Sequence, residues 1–179
     1  MRELLDYAGG MRDGSSVKFW LPGGSSVPLL TDEHLDLPLT YEAMAEAGTM
    51  LGTGTPMVFD QTVSVVKAVT RWLEFYKHES CGKCTPCREG TKWLEQIMQR
   101  MEDGEAHEEE IPMLEEISRQ IEGHTICALG DAAAWPVQGL IRRFQPVMDC
   151  AVTNHSSVRT RNRCSEAQAL HAAHEENVP

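Results

Sequence analysis

Three cysteines at intervals of three residues are the feature that most constrains how this chain can fold. Cys81, Cys84 and Cys87 fall in the segment CGKCTPC, where Thr85 is expected to cap a helix and Pro86 to occupy its first position. A tight turn leading into a helix can aim three thiolates with this spacing at one compact inorganic group. The spacing therefore predicts a metal centre at a turn that precedes a helix.

A fourth thiolate is expected from the segment Gly123–Gly130, which joins two predicted helices and contains Cys127. A cubane iron–sulfur cluster takes one thiolate for each of its irons. The three-plus-one pattern favours a [4Fe–4S] cluster that transfers electrons, because four cysteines leave no iron open for Lewis-acid chemistry. Lys83, Arg88 and the start of the helix are expected to place positive charge beside it.

Other uses of these cysteines remain open at this point. Four cysteines also bind zinc tetrahedrally, although structural zinc sites usually pair two C-x-x-C units. Three packing cysteines, or a disulfide framework in a chain without a recognisable secretory signal, are weaker alternatives. Cys150 and Cys164 lie in a polar tail, where we interpret them as free surface or packing thiols. His78 and His124 flank the cysteine segments, but four cysteines already complete a ligand set.

The charge balance argues against two classes of partner. The 179 residues include 16 Lys and Arg and 27 Asp and Glu, for a net charge of −11, and no basic stripe suited to a nucleic-acid backbone is present. No apolar stretch reaches the roughly 18 to 20 residues that a membrane span needs. We therefore expect neither nucleic-acid binding nor direct membrane insertion.

Residues 1–60 have the pattern of a small α+β unit. Short strands are predicted at Ser16–Trp20, Ser26–Leu30 and Pro56–Phe59, separated by turn-forming residues. Between the second and third strands, Thr40 is expected to cap a helix at Tyr41–Ala47.

Residues 61–147 have the period of helices. Apolar residues spaced three and four apart predict one helix from about Thr62 to His78 and a second from Thr85 to Asp103. A third is predicted to begin near Ile111 and to end at Gly123, and a fourth to begin near Asp131 and to bury Leu140, Ile141 and Phe144. Four helices of this size are typical of an all-α bundle. The polar residues 148–179 are expected to be poorly ordered.

The cysteine segment Glu79–Thr91 resembles the signature of the flavoprotein subunit of NADH:quinone oxidoreductase, respiratory complex I. The segments Pro22–Ser26, Gly48–Gly52 and Ile126–Pro136 resemble that family in the same order. Diaphorase subunits of NAD-linked hydrogenases and formate dehydrogenases share these segments. The resemblance extends over roughly Glu3 to Met148.

The resemblance implies a ubiquitin-like β-grasp domain over residues 1–60 and a helical [4Fe–4S] domain over residues 61–147. Cys81, Cys84, Cys87 and Cys127 match the family's four cluster ligands, and Ala128 and Leu129 match the segment that approaches the flavin. The implied function is a one-electron relay that carries electrons from NADH, through FMN, towards quinone.

The resemblance also implies that this chain acts together with other polypeptides. No counterpart of the family's glycine-rich FMN and NADH domain is recognisable, so we do not expect the chain to oxidise NADH alone. Its implied partners are the other subunits of the NADH-oxidising arm of complex I or of a diaphorase complex. Its implied location is the cytoplasmic face of a bacterial plasma membrane. A structural zinc module for protein contacts and an inactive fragment are the alternative functions.

Overall fold

A computed structural model describes residues 1–153, which contain six α-helices and one three-stranded sheet. The helices are α1 Arg2–Tyr7, α2 Tyr41–Glu46, α3 Val65–Glu79, α4 Thr85–Asp103, α5 Glu110–Ile121 and α6 Leu129–Thr153. The strands are β1 Val17–Leu21, β2 Leu30–Thr31 and β3 Met57–Asp60. The expected mixed fold, with a small sheet followed by helices, is confirmed. None of the helices described is long and apolar enough to cross a membrane.

The sheet is antiparallel, with β1 between β2 and β3. The register of β1 against β3 shifts between Val17 and Phe19. As a result, the side chain of Val17 lies on the opposite face of the sheet from those of Phe19 and Leu21. Trp20 therefore packs with Val17 in one apolar cluster, whereas Phe19 and Leu21 belong to a second. The central strand is buried on both faces.

The second predicted strand is much shorter than expected. Pairing is restricted to Leu30 and Thr31, although the prediction began at Ser26. Pro28 cannot donate a ladder hydrogen bond, which disfavours pairing along that stretch. Val27 and Leu29 are nevertheless fully buried, because they belong to the apolar cluster that the helices share.

The four longer helices form a closed arrangement, in which α3 contacts α4, α4 contacts α5, α5 contacts α6 and α6 contacts α3. Their apolar faces share one core with a face of the sheet. Within it Phe19 stacks on Phe59 at 4.5 Å between ring centroids and meets Phe144 edge-on at 6.0 Å. The sheet is thus attached to the helices by buried aromatic contacts.

The last helix differs most from its predicted bounds. It begins at Leu129 rather than near Asp131 and continues to Thr153, beyond Met148, where the poorly ordered tail was expected to begin. Phe144 departs from helical geometry, with φ −130° and ψ 27°, two residues before Pro146. Proline removes a backbone donor and bends a helix, which explains this kink. The rest of the expected tail, residues 154–179, lies outside the described residues.

Gly139 lies where α6 approaches the backbone of Pro28 and Leu29, just before β2. A Cβ added there would lie 2.8 Å from the backbone nitrogen of Leu29 and 3.0 Å from Cα of Pro28. Gly139→Ala should therefore lower the free energy of unfolding by about 1–3 kcal/mol, despite the better helix propensity of alanine. Thermal unfolding measures the change.

Gly90→Ala is the matched control. Its added Cβ would meet Cδ1 of Ile121 at 2.6 Å and Cγ1 at 2.7 Å, and these side-chain atoms can shift more readily than backbone atoms. The Gly90 variant should lose less stability than the Gly139 variant. Equal losses would contradict the close backbone approach of α6 to Leu29.

Candidate metal centre

The first three cysteines lie where α3 ends and α4 begins. Gly82, between the first two, has φ +76°, a conformation that favours glycine. Cys84 has extended backbone and is the N-cap of α4, and its carbonyl oxygen accepts the N–H of Arg88 at 2.9 Å. Thr85 is therefore the first helical residue, and the prediction that it is the N-cap is wrong by one position. Cys87 follows in the first turn of α4.

Arg88, on α4, holds the loop of Cys81 and Cys84 against the start of that helix. Its Nη1 donates to the carbonyl oxygen of Gly82 at 2.6 Å, and its Nη2 donates to Thr85 Oγ1 at 3.4 Å. The Nε donates to Glu89 at 2.8 Å and keeps the pKa of that carboxyl below its ordinary value. The guanidinium of Arg88 lies beside the cysteine loop, where it holds the loop and is also paired with the carboxylate of Glu89. Lys83 is exposed.

The fourth cysteine lies in the loop between α5 and α6. Gly123, at φ +71°, turns the chain, and its N–H donates to Asp131 Oδ1 at 2.7 Å. Thr125 Oγ1 donates to the carbonyl oxygen of Cys127 at 2.8 Å. A Cβ on Gly130 would lie 2.5 Å from that same hydroxyl oxygen, so glycine is needed for this close approach. The loop is folded tightly against the first turn of α6.

One hydrogen bond joins the two cysteine segments directly. The backbone N–H of Ile126 donates to Cys84 Sγ at 3.3 Å, across a separation of 42 residues. The residue before Cys127 therefore contacts the second of the three clustered thiols. The two helix starts that carry cysteines are neighbours in space.

The four thiols differ in their exposure to solvent. Cys87 is buried, Cys84 is half-buried, and Cys81 and Cys127 are exposed. Ile126, next to Cys127 in the sequence, is 82% exposed, which is unusual for an isoleucine. Ala128 is exposed and Leu129 is half-buried. The candidate centre therefore has one side within the protein and one side open.

The donor set fits an iron–sulfur cluster in its chemistry. All four thiols are free, and soft thiolates with nearby N–H donors suit such clusters. In residues 1–153 no three His, Cys, Asp or Glu side chains surround a position for a single metal ion. Four thiolates around one zinc ion would be about 3.8 Å apart, given the Zn–S distance. A cluster provides a separate iron for each thiolate and accepts a wider separation.

The neighbouring histidines have other contacts. His78 Nδ1 lies 3.1 Å from Glu79 Oε1, and His124 Nδ1 lies 2.7 Å from the carbonyl oxygen of Glu122. The assignment of the ligands to cysteines alone stays a prediction. Cys150, on α6, is disulfide-bonded, which contradicts its interpretation as a free thiol. Cys164 lies outside the described residues.

Sequence reasoning missed the residue that anchors the second loop. The carboxylate of Glu122 accepts from Trp135 Nε1 at 2.7 Å and from Gln138 Nε2 at 2.9 Å. The hydrogen bonds from Gln138 and Trp135 keep the pKa of Glu122 below its ordinary value. These partners are 13 and 16 residues away, so no local spacing indicates them. Asp131, an acidic residue in the first turn of α6, does carry a local signal.

Residues 67–150 match the family model described as the NADH-ubiquinone oxidoreductase-F iron-sulfur binding region. This part of the chain belongs to that family. The match includes α4, α5 and all four candidate ligands. The resemblance inferred from the cysteine segments is confirmed.

Relatives of this NADH-ubiquinone oxidoreductase-F region are much longer than this chain. The F subunit of Mycobacterium tuberculosis NADH-quinone oxidoreductase is 61% identical over 145 residues, which are 81% of this chain and 33% of that protein. The mitochondrial NADH-ubiquinone oxidoreductase 51 kDa subunit of Neurospora crassa is 50% identical over 155 residues, 85% of this chain and 31% of that protein. The chain spans about a third of the length of the curated relatives it matches.

A solved structure has a similar fold over almost the whole chain. It is the NAD⁺-reducing [NiFe]-hydrogenase in the H₂-reduced state, with a TM-score of 0.73 and 27% sequence identity. The similarity covers 97% of this chain and 30% of that one. The iron–sulfur binding region is thus similar to parts of two kinds of oxidoreductase.

Glu122→Ala should loosen the loop that carries Cys127. It leaves two donors on α6 without their acceptor, at a cost of about 1–3 kcal/mol. Thermal unfolding should show a lower midpoint, by about 2–4 °C for each kcal/mol. Because the pKa of Glu122 is lowered on folding, its contribution is present at neutral pH and is lost as the pH falls below the ordinary value of 4.5.

Glu116→Ala is the control for this prediction. Glu116 accepts from Gln120 Nε2 at 2.9 Å on the same helix, in an exposed pair spaced by four residues. Such pairs contribute only about 0.2–0.5 kcal/mol. If the two variants were equally stable, Glu122 would not anchor the loop.

Proposed function

We propose that this chain holds a [4Fe–4S] cluster through Cys81, Cys84, Cys87 and Cys127 and relays single electrons within an NADH dehydrogenase flavoprotein subunit. The observation that carries the proposal is the hydrogen bond from Ile126 N–H to Cys84 Sγ at 3.3 Å. It brings the loop of Cys127 to the turn of the other three cysteines. Hydrogen bonds of this kind to ligand sulfurs are typical of iron–sulfur sites.

Two helix N-termini supply a favourable field for an anionic group. Cys84 caps the start of α4, and Cys127 precedes Ala128, whose carbonyl oxygen accepts the N–H of Ala132 at 2.9 Å as α6 begins. The first N–H groups of each helix lack helical acceptors and carry partial positive charge. An all-thiolate cluster is a net anion, so both helix starts stabilise it.

The cysteines would act as ligands, and a bound cluster would supply one-electron transfer. The exposed side, with Cys81, Cys127 and Ile126, suits a surface where an electron donor or acceptor docks. We assign Ala128 and Leu129 to the flavin-facing side, since in the family FMN passes electrons from NADH to this cluster. The chain would then act with the other subunits of the NADH-oxidising arm of complex I, or of a diaphorase complex, at the cytoplasmic face of a bacterial plasma membrane.

The proposal includes the finer description of the fold. Residues 1–60 would be a β-grasp domain and residues 61–147 a four-helix [4Fe–4S] domain. The separate apolar cluster that Val17, Trp20, Leu30, Leu35 and Met44 form within residues 1–60, and the closed contacts of α3 to α6, support this division, although the other face of the sheet shares its core with the helices.

Anaerobic reconstitution with iron and sulfide tests the function. The loaded protein should contain about four irons per chain and give a rhombic low-temperature EPR signal after reduction with dithionite. Cys127→Ala should lose the cubane and become less stable, because the cluster connects two loops that are distant in sequence.

Cys164→Ala serves as the control, since Cys164 is not one of the four proposed ligands and its loss should leave the iron content unchanged. Full iron loading of Cys127→Ala would refute the ligand assignment. Stoichiometric zinc in the wild-type protein would identify a structural zinc module instead.

A further inference from the structure

A serine hydroxyl lies beside the most buried of the candidate ligands. Ser80 Oγ is 3.2 Å from Cys87 Sγ. The backbone of Ser80 is fixed at the end of α3, where its N–H donates to the carbonyl oxygen of Tyr76 at 3.0 Å. The hydroxyl is therefore held next to the sulfur by the fold.

The direction of this hydrogen bond follows from its neighbours. Gly82 N–H donates to Ser80 Oγ at 3.4 Å, so the serine oxygen already acts as an acceptor. A cysteine that ligates a metal has lost its proton and can only accept. The single proton of the Ser80 hydroxyl is thus the one available for the Cys87 sulfur.

The surroundings of Cys87 strengthen such a bond. Its side chain is buried, whereas Cys81 and Cys127 are exposed. Thr91 Oγ1 donates to the carbonyl oxygen of Cys87 at 2.8 Å and holds its backbone. A hydrogen bond shielded from water is stronger than one that water competes for. The Ser80 contact therefore acts on the ligand at which solvent has least effect.

We propose that Ser80 raises the reduction potential of the cluster by donating a hydrogen bond to the Cys87 sulfur. The inference rests on the proposed cluster-binding function. One-electron reduction adds one negative charge, part of which lies on the ligand sulfurs, so a donor to sulfur stabilises the reduced form more than the oxidised form. Ser80 is then a tuning residue and not a ligand.

A redox titration of the reconstituted protein, followed by EPR, tests this role. Ser80→Ala should keep its iron and shift the midpoint potential to a more negative value. We expect the ratio of reduced to oxidised protein at a fixed potential to fall by up to about tenfold, which is 59 mV for one electron.

Ser80→Thr and Ser80→Val form a matched pair of nearly equal shape that differs in the hydroxyl group. The backbone of Ser80, at φ −62° and ψ 121°, accepts β-branched residues. The threonine variant should keep a potential near that of the wild type, and the valine variant should shift as alanine does. If Ser80→Ala fails to load iron, comparison of the threonine and valine variants still shows whether the hydroxyl group raises the potential.

Ser64→Ala separates tuning from stability. Ser64 Oγ accepts the N–H of Lys67 at 3.3 Å and caps the opposite end of α3. Its loss should lower the unfolding midpoint and leave the potential unchanged. If Ser80→Ala and Ser80→Val bind the cluster and keep the wild-type potential, the proposed role of Ser80 is wrong, while the proposed cluster binding still stands. A wild-type protein that binds no cluster would overturn the proposed function itself.

Discussion

The hydrogen bond between the Ile126 N–H and the Cys84 sulfur is the contact on which the arrangement of the candidate centre depends. It joins the turn before α4 to the turn before α6, two segments far apart in the sequence. Each turn is also fixed to its own helix, the first by Arg88 and the second by Asp131. The cysteines are therefore placed by this hydrogen bond together with the attachment of each turn to the start of its helix.

The packing of those helices in turn involves the amino-terminal sheet. Phe19 of β1 contacts Phe144 of α6, so sheet and helices share buried surface. At the end of α2, the carbonyl oxygen of Ala47 accepts a hydrogen bond from Arg143 Nη2 at 2.8 Å. Arg142 Nη1 donates to that of Gly48 at 3.3 Å, also just past α2. Cations near a helix C-terminus interact favourably with its exposed carbonyls, and here they attach α2 to α6.

Local sequence signals predicted those features that depend on neighbours along the chain. The apolar spacing located α3, α4 and α5, Thr40 caps α2 as expected, and the cysteine spacing indicated the centre. Contacts between distant segments were not predictable in this way. The short helix α1, the restriction of β2 to two residues and the partners of Glu122 all depend on tertiary packing. The paired state of Arg88 was missed because charge alone does not reveal which carboxylate a guanidinium contacts.

The gradient of exposure across the four cysteines bears on the chemical lifetime of the centre. Oxidants dissolved in water would reach it from the side of Cys81 and Cys127, while Cys87 is shielded by the protein. A partner that covers Ile126 would remove that route of attack as it docks. Assembly with a partner would then protect the centre from oxygen on the same surface through which electrons would pass in the proposed function.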